Sequence, residues 1–266
     1  MTSLVADSKL LDKGTQSTNL HNSITNTSKM LILKPCKHIF WDLDHTLWDF
    51  EKNAALTLQE LFVKYNLQTI LKVSSEEFCK VFARSNQELW QLYNSSKINK
   101  HELRKMRFPR LFKRLGASES LVPANMEDDY QNTCRQQPHL MPHAREVLET
   151  LQDRKYTMHI ISNGFQDAQA EKLRYANIEQ FFDVLVTSES CSYRKPQRGI
   201  FLHTFQKCRT HAQEGIMIGD NLSTDIAGAL AVQMRNVWYN PHAEKNTTDI
   251  KPTHQIGCLL ELLSIL

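Results

Sequence analysis

The sequence predicts an α/β fold: a three-layer, Rossmann-like parallel sheet that carries an inserted helical subdomain. Three observations support this fold class. Short apolar runs alternate with helix-length segments after Pro142, which favours parallel strands joined by right-handed crossovers. A helical stretch at residues 53–135 separates the first apolar run from the second. Polar residues follow several of the apolar runs directly, and a parallel sheet would collect them at one edge.

Five apolar runs are predicted to be strands. The first is His38–Trp41, and the others are at residues 157–161, 184–187, 216–218 and 237–239. Helices are predicted after the inserted stretch at residues 144–153, 167–176, 199–208, 223–232 and 255–265. The sheet core is therefore assigned to residues 31–52 and 136–266.

Residues 53–135 are predicted to form four helices and no strand. One apolar stripe with helical spacing indicates a face that packs inward: Phe78, Val81, Phe82, Ser85, Leu89 and Leu92. A second set of residues is basic and is interpreted as a solvated exterior: Arg104, Lys105, Arg107, Arg110, Lys113 and Arg114. Lys97, Lys100 and His101 are candidates for substrate contact, but we favour a solvated face for these as well.

The first 30 residues differ in composition from the rest of the chain. Nearly half of residues 1–28 are Ser, Thr or Asn, and no apolar periodicity appears. We therefore expect a disordered polar tail. The segment has neither the basic start nor the apolar stretch of a secretory signal, and Asp7 and Asp12 are atypical of a transit peptide. We expect the tail to be dispensable, or translation to start at Met30.

The overall composition excludes several classes of protein. Hydrophobic residues make up 41% of the 266 residues and charged residues 23%, which is ordinary globular usage. The net charge of +3 is too small to argue for nucleic acid or a membrane surface as a partner, and no apolar run is long enough for a membrane helix. The six cysteines include no CxxC pair, so no zinc or redox motif is indicated. We expect reduced, mostly buried thiols in a cytoplasmic protein.

Ligands of open parallel sheets bind beyond the carboxyl ends of the strands. The polar residues at those ends are therefore the candidate site. In chain order they are Asp42, Asp44 and Thr46; Ser162, Asn163 and Gly164; Arg194 and Lys195; and Asp220 and Asp225.

These residue types together indicate phosphate chemistry. Four carboxylates at one edge would repel one another, and Mg²⁺, which prefers carboxylates and water, relieves that repulsion. A lysine and a hydroxyl that face the same point suit a phosphoryl group. Aspartate is a known nucleophile in phosphoryl transfer. Since Asp42 and Asp44 are two residues apart, they would face the same side, and one can attack while the other handles the proton.

Four short motifs, in this order, resemble those of the haloacid dehalogenase-like (HAD) hydrolases. Residues 42–46 match the family's DxDxT signature, and an apolar strand ends at Ser162, where the family has Ser or Thr. Lys195 precedes a proline, as in the third motif, and residues 219–225 match GDxxxxD. The resemblance covers residues 37–241 and implies that the helical stretch is a cap of the C1 type.

Longer strings resemble the pyrimidine nucleotidases of the YjjG type within this family. They are residues 38–50 (HIFWDLDHTLWDF), 161–165 (ISNGF), 216–222 (IMIGDNL) and 240–241 (NP). This group is associated with 5′-dephosphorylation of nucleoside monophosphates, including unusual pyrimidines. The resemblance implies a Mg²⁺-dependent phosphatase whose partner is a small phosphate ester, most simply a nucleoside monophosphate.

The resemblance also implies a role for each candidate residue. Asp42 would be the nucleophile, and Asp44 would protonate the leaving oxygen and then activate water, with Thr46 helping to orient Asp44. The phosphoryl oxygens would be held by Ser162 and Lys195, with further contacts from Asn163 and Gly164. Mg²⁺ would be bound by Asp42, the Asp44 carbonyl and Asp220, while Asp225 orients the metal shell or Lys195.

Two departures and several alternatives accompany this interpretation. Many relatives have a glycine shortly before the lysine of the third motif, where this chain has CSYR at residues 191–194. Ser162 replaces the commoner threonine.

The alternative functions are a phosphatase of phosphoglycolate or a sugar phosphate, a dehalogenase, and a non-catalytic phosphate-binding module. Asp44 counts against the dehalogenase. Trp48 and Phe50 either stack on a base or, as we prefer, belong to the core.

Overall fold

Six strands form one parallel sheet in the computed structural model, which describes residues 37–266. The strands are β1 (His38–Trp41), β2 (Thr157–Ser162), β3 (Phe182–Thr187), β4 (Gly215–Gly219), β5 (Arg235–Tyr239) and β6 (His254–Ile256). Their spatial order is β3-β2-β1-β4-β5-β6, and every neighbouring pair is parallel. The sheet confirms the predicted α/β fold. The predicted tail and start at Met30 lie outside the described residues.

Residues 50–134, which follow β1, are mostly helical and are called the helical insert below. Its helices are α1 (Phe50–Lys64), α2 (Leu67–Leu71), α3 (Ser75–Asn94), α4 (Lys100–Arg114) and α5 (Met126–Cys134). The remaining helices are α6 (Ala144–Asp153), α7 (Gln166–Tyr175), α8 (Ser188–Cys191), α9 (Arg198–Cys208), α10 (Ala227–Ala231) and α11 (Leu262–Ile265). A turn of π-helix, Leu222–Ile226, leads into α10. The insert boundaries at residues 53 and 135 stay a prediction.

Strand β1 lies in the middle of the sheet and sets the position of the strand ends. Its Ile39, Phe40 and Trp41 are fully buried, as a strand covered on both faces requires. Trp41 is in register with Ile160 of β2 and with Ile218 of β4. The residues that follow these three positions therefore emerge side by side at one edge of the sheet.

The helical insert packs on an apolar stripe close to the predicted one. Phe78, Phe82 and Leu89 of α3 are buried, and Ser74 caps the N-terminus of α3 by accepting the Glu77 N–H with its side chain. Helix α4 begins with a reciprocal pair of hydrogen bonds between Asn99 and Glu102. Both helices thus combine a hydrogen-bonded cap at the N-terminus with an inward apolar face.

The predicted solvated exterior of the basic helix is wrong in part. Arg107 is only 3% exposed; it donates to Asn86 and forms an ion pair with Glu127. Arg110 and Arg114 both pair with Glu88 of α3. The acidic partners lie on neighbouring helices, so the charge pattern of α4 alone could not reveal them.

The predicted helix at residues 255–265 is also wrong over its first part. His254–Ile256 forms β6, which pairs with β5 and covers that edge of the sheet. The side chain of Glu261 then accepts the N–H groups of Gly257 and Cys258, and only the short α11 follows. Pairing with an open strand edge has outweighed the local helical pattern.

Two expectations from composition can be compared with the described residues. Within residues 37–266, no helix is long and apolar enough to cross a membrane. The five cysteines of this range are free thiols, of which Cys134 is buried and the other four are half-buried. Burial of the thiols is therefore less complete than expected.

Candidate active site

A tight loop after β1 presents the first three candidate residues. Leu43 O accepts hydrogen bonds from the N–H groups of residues 46, 47 and 48, and His45 takes a left-handed conformation with a φ of 65°. Asp42 and Thr46 are buried by this turn, and Asp44 is half-buried. The loop thus turns two carboxylates and one hydroxyl toward the carboxyl edge of the sheet.

Lys195 lies at the centre of the site. Its Nζ is 2.5 Å from Asp42 Oδ1, 2.7 Å from Asp225 Oδ1 and 2.6 Å from the carbonyl oxygen of Ile161. Burial alone would lower the pKa of this amine, but Asp225 and Asp42 outweigh burial and raise it. Lys195 is therefore a fixed cation beside the predicted nucleophile.

The loop before Lys195 reaches the site without the glycine that many relatives have there. Ser192 adopts the left-handed conformation, with a φ of 61°, that a glycine commonly provides. Asn163 then holds the lysine main chain: its Oδ1 accepts Lys195 N–H at 2.7 Å, and its Nδ2 donates to Lys195 O at 2.9 Å. Asn163 therefore positions Lys195 through the backbone.

Three carboxylates converge beside this cation. Asp42, Asp220 and Asp225 each offer an oxygen, and these oxygens lie within 4.8 Å of one another. Burial, reinforced by the neighbouring acids, raises the pKa of Asp42 and raises that of Asp220 to about 7. Three acids facing one ammonium leave excess negative charge, which a divalent cation with oxygen ligands would offset. The donor set therefore fits Mg²⁺.

Asp225 and Asp44 differ from the other acids in what they contact. Asp225 Oδ1 forms an ion pair with Lys195, and Asp225 Oδ2 accepts the Asn221 N–H at 3.0 Å. The Asp225 side chain thus connects the lysine to the loop after β4. Asp44 is not a member of this cluster, and its side chain is held by Lys172 and Gln169 of α7. Lys172 and Gln169 together outweigh the effect of burial and lower the pKa of Asp44.

Thr46 connects two of the acids. Its hydroxyl lies 3.2 Å from Asp220 Oδ1 and 3.4 Å from Asp42 Oδ2, and it accepts the Asp220 N–H at 3.1 Å. The resemblance assigned Thr46 to orienting Asp44, whereas these hydrogen bonds go to Asp42 and Asp220.

Ser162 and Gly164 lie next to one another at the end of β2. The Ser162 hydroxyl accepts the Gly164 N–H at 3.0 Å and a hydrogen bond from Gln169 Nε2 at 2.7 Å. Both residues are buried together with Asn163. The Gly164 N–H is thus bonded to the Ser162 hydroxyl, at the position that was assigned to phosphate from the sequence.

Sequence reasoning missed Gln169 and Lys172 and included one residue that lies elsewhere. The two α7 residues have i, i+3 spacing on a predicted helix, but nothing in the sequence separates them from ordinary helix polarity. Arg194 contacts the helical insert, because its guanidinium binds Tyr93 O and lies 4.2 Å from the centre of the Tyr93 ring. Trp48 is fully buried, which supports the core interpretation over base stacking.

The motif residues are thus brought to one edge of a parallel sheet, and a family comparison agrees. The model of the haloacid dehalogenase-like hydrolases matches residues 39–239. The chain belongs to this hydrolase family. Its helical insert and six-stranded parallel sheet accord with that assignment.

Individual relatives extend over most of the chain. A pyrimidine 5′-nucleotidase, PynA, of Streptococcus pneumoniae is 29% identical over 86% of this chain and 94% of its own length. The pyrimidine 5′-nucleotidase YjjG of Escherichia coli is 27% identical over 86% of this chain and 96% of its own. Among solved structures, the putative HAD-hydrolase YfnB of Bacillus subtilis, bound to magnesium, has a TM-score of 0.77 at 27% identity, covering 88% and 99% of the two chains.

Proposed function

We propose that this hydrolase is a Mg²⁺-dependent phosphatase that acts through an aspartyl-phosphate on pyrimidine nucleoside 5′-monophosphates. One observation carries the phosphatase proposal: a carboxylate, Asp42, lies 2.5 Å from the fixed cation Lys195 and one loop turn from a second carboxylate, Asp44. An anionic substrate can be held by the cation, while the two acids supply a nucleophile and a proton carrier.

The first chemical step transfers the phosphoryl group to Asp42. An oxygen of its carboxylate attacks phosphorus, the bond from phosphorus to the ester oxygen breaks, and the leaving oxygen takes the proton of the Asp44 carboxyl. Lys195 and the Ser162 hydroxyl would hold the phosphoryl oxygens. The dianionic phosphate places negative charge near Asp44, which favours the protonated acid that this step needs.

The second step returns the enzyme to its starting state. Asp44, now a carboxylate, takes a proton from water as the water oxygen attacks phosphorus. The bond between phosphorus and Asp42 breaks, which releases inorganic phosphate and regenerates the carboxylate. One water is consumed, and one alcohol and one phosphate are formed.

The acidic cluster supports a metal site at this edge of the sheet. Asp42 and Asp220 would hold Mg²⁺, with Asp225 holding Lys195 in place and the Asp44 carbonyl as a further ligand predicted from the resemblance. When bound, the ion would neutralise charge that builds up on the phosphoryl oxygens.

The nucleotide part of the proposal is supported by the relatives. PynA and YjjG, each aligned over more than four fifths of both chains, are named as pyrimidine 5′-nucleotidases. A phosphatase of phosphoglycolate or a sugar phosphate would use the same core, since the core residues face only the phosphoryl group. The binding-module alternative is disfavoured because the nucleophile and its cation are both present.

The experiment is phosphate release by the full chain with Mg²⁺, with and without EDTA. The panel comprises dUMP, UMP, dTMP, AMP, phosphoglycolate and β-glucose 1-phosphate. Metal-dependent turnover that favours the pyrimidine monophosphates is expected. Preference for another ester would overturn the nucleotide assignment, and metal-independent turnover would overturn the role of Mg²⁺.

Replacing the nucleophile provides the matching test of mechanism. Asp42→Asn has nearly the same shape and cannot attack phosphorus, so we expect turnover to fall below detection while the thermal unfolding midpoint stays close to wild type. Asp183→Asn, a change on the distant strand β3, serves as the control and is expected to be fully active. A fully active Asp42→Asn enzyme would rule out the aspartyl-phosphate.

A further inference from the structure

One face of α7 carries two polar side chains that the steps above do not use. Gln169 and Lys172 are three residues apart, so they project from the same side of the helix. Gln169 is fully buried and Lys172 is 7% exposed. Long polar side chains are seldom buried to this degree unless they have specific partners.

Those partners are residues of the active site. Lys172 Nζ lies 2.5 Å from Asp44 Oδ1, and Gln169 Nε2 lies 2.8 Å from Asp44 Oδ2. The same Gln169 nitrogen lies 2.7 Å from the Ser162 hydroxyl. Both oxygens of the predicted proton carrier are therefore held, and one amide joins that carboxylate to the predicted phosphate-binding hydroxyl.

The surroundings fix both side chains in place. The Lys172 ammonium lies 4.3 Å from the centre of the Trp48 ring and 5.8 Å from that of Phe50, within the range of cation–π attraction. Trp48 is itself held by a 3.0 Å hydrogen bond from Nε1 to Gln137 O. A Cβ at Gly164 would lie only 1.9 Å from Gln169 Nε2, so the glycine leaves the space that the amide occupies.

Stability alone is a poor reason for this arrangement. A buried Lys–Asp pair contributes little net stability, because desolvation of the two charges offsets their attraction. An apolar side chain of similar length would pack against Trp48 without needing a partner. The pair therefore indicates a functional role for Lys172 in its contact with Asp44.

We propose that Gln169 and Lys172 are positioning residues that hold the Asp44 carboxyl in the orientation from which it gives a proton to the leaving oxygen. This inference rests on the proposed phosphatase function. Proton transfer requires the donor to be aligned within hydrogen-bond distance, and Lys172 and Gln169 each hold one of the two carboxyl oxygens of Asp44. The two α7 residues supply that alignment.

The test compares two leaving groups in the full-length enzyme. Lys172→Met and Gln169→Leu remove the polar contacts and roughly keep the volumes. The kcat/KM is measured for the best nucleoside monophosphate and for p-nitrophenyl phosphate. A nucleoside alkoxide needs a proton as it leaves, whereas p-nitrophenolate is a stable anion. We expect kcat/KM to fall about 10- to 100-fold for the nucleotide and less than about threefold for the aryl ester.

Controls separate positioning from other roles. Arg174→Met lies on the same helix with its side chain 60% exposed and should leave both substrates unchanged. Lys172→Arg keeps the charge and should restore part of the nucleotide activity. Inhibition by inorganic phosphate should change less than about threefold in Lys172→Met, since the lysine acts on Asp44 and not on the anion.

Other results would overturn the inference. An equal loss for both esters, or a parallel loss of phosphate inhibition, would assign Lys172 to folding or to anion binding. Unchanged nucleotide turnover in Gln169→Leu and Lys172→Met would remove the role altogether. A wild-type enzyme that hydrolyses neither ester would instead overturn the proposed function, on which this inference rests.

Discussion

Thr46 connects two of the carboxylates of the proposed metal site. It contacts one oxygen each of Asp42 and Asp220 and also accepts the Asp220 main-chain N–H, within 3.1 to 3.4 Å. Trp238 Nε1 holds the Asp220 carbonyl from the other side at 2.7 Å. The carboxylates that would receive Mg²⁺ are therefore already held by hydrogen bonds from neutral groups, and Asp42 also by Lys195.

Thr46→Val should weaken metal binding with little change in shape. The variant loses the hydroxyl and leaves the half-buried Asp220 N–H without its acceptor. The loss of such orienting groups commonly costs about 10- to 100-fold in metal affinity. The Mg²⁺ concentration for half-maximal turnover should rise by about that factor. Thr46→Ser, which keeps the hydroxyl, should stay within about threefold of wild type; an equal rise in both variants would point to a packing effect.

Among individual residues, the site candidates at the ends of strands could be predicted from the sequence. Asp42, Ser162 and Asp220 directly follow or close apolar runs, so their meeting at one edge follows from parallel pairing alone. The contacts of Gln169 and Lys172 with Asp44 depend on the rotation of α7 against the sheet, which no local pattern records. The ion pair of Arg107 with Glu127 was missed for the same reason.

Strand β2 carries a buried histidine with an unusual environment for its charge. His159 is 1% exposed; its Nε2 lies 3.0 Å from His38 Nδ1, and its ring stacks on Phe40 with 5.0 Å between centroids. Burial, and secondarily His38, lowers the pKa of His159 from 6.5 to about 4. The buried imidazole of His159 is therefore neutral in the folded protein near pH 7.

The His159 contribution predicts a loss of stability in acid. Because the folded-state pKa is the lower one, the unfolded chain binds the proton more tightly, so stability is complete above pH 6.5 and declines as the pH falls toward 4. The decline attributable to His159 is about 3 kcal/mol. Denaturant unfolding at several pH values should show a shallower decline in His159→Phe than in wild type. Parallel curves would contradict the assignment.

The order of β1 to β5 could be predicted, but the last strand was missed, and the insert has five helices where four were expected. Alternation of apolar runs with amphipathic segments fixed β1 to β5 to within a few residues. The three residues of β6 carry no pattern of their own and become a strand because β5 offers an unpaired edge. A strand that forms because a neighbouring strand has an unpaired edge cannot be predicted from the local sequence pattern.

At the scale of the whole molecule, the helical insert meets the sheet core around Phe165. This side chain, which follows β2, is 3% exposed and stacks on Trp90 of the insert with 5.4 Å between ring centroids. Lys100 of the insert reaches Asp167 at 3.1 Å and Glu189 at 2.9 Å. An apolar cluster around Phe165 and a set of half-exposed ion pairs thus lie between the two parts.

These two kinds of contact should contribute unequally. Phe165→Ala removes a buried ring and is expected to lower the free energy of unfolding by about 3 kcal/mol. Lys100→Ala removes partly exposed ion pairs and should cost less than about 1 kcal/mol. Urea unfolding of both variants measures the difference. A larger effect from Lys100→Ala, especially one that persists in high salt, would show that charge dominates this contact.

The central place of β1 also affects how the chain can be made. Both partners of β1 come late, since β2 begins at Thr157 and β4 at Gly215. At about 5–20 residues per second of synthesis, the apolar β1 emerges roughly ten seconds or more before β4 exists. The helical insert, which folds through local contacts, can form in that interval. The nascent chain therefore depends on keeping Ile39, Phe40 and Trp41 from aggregating until nearly all of the protein has left the ribosome.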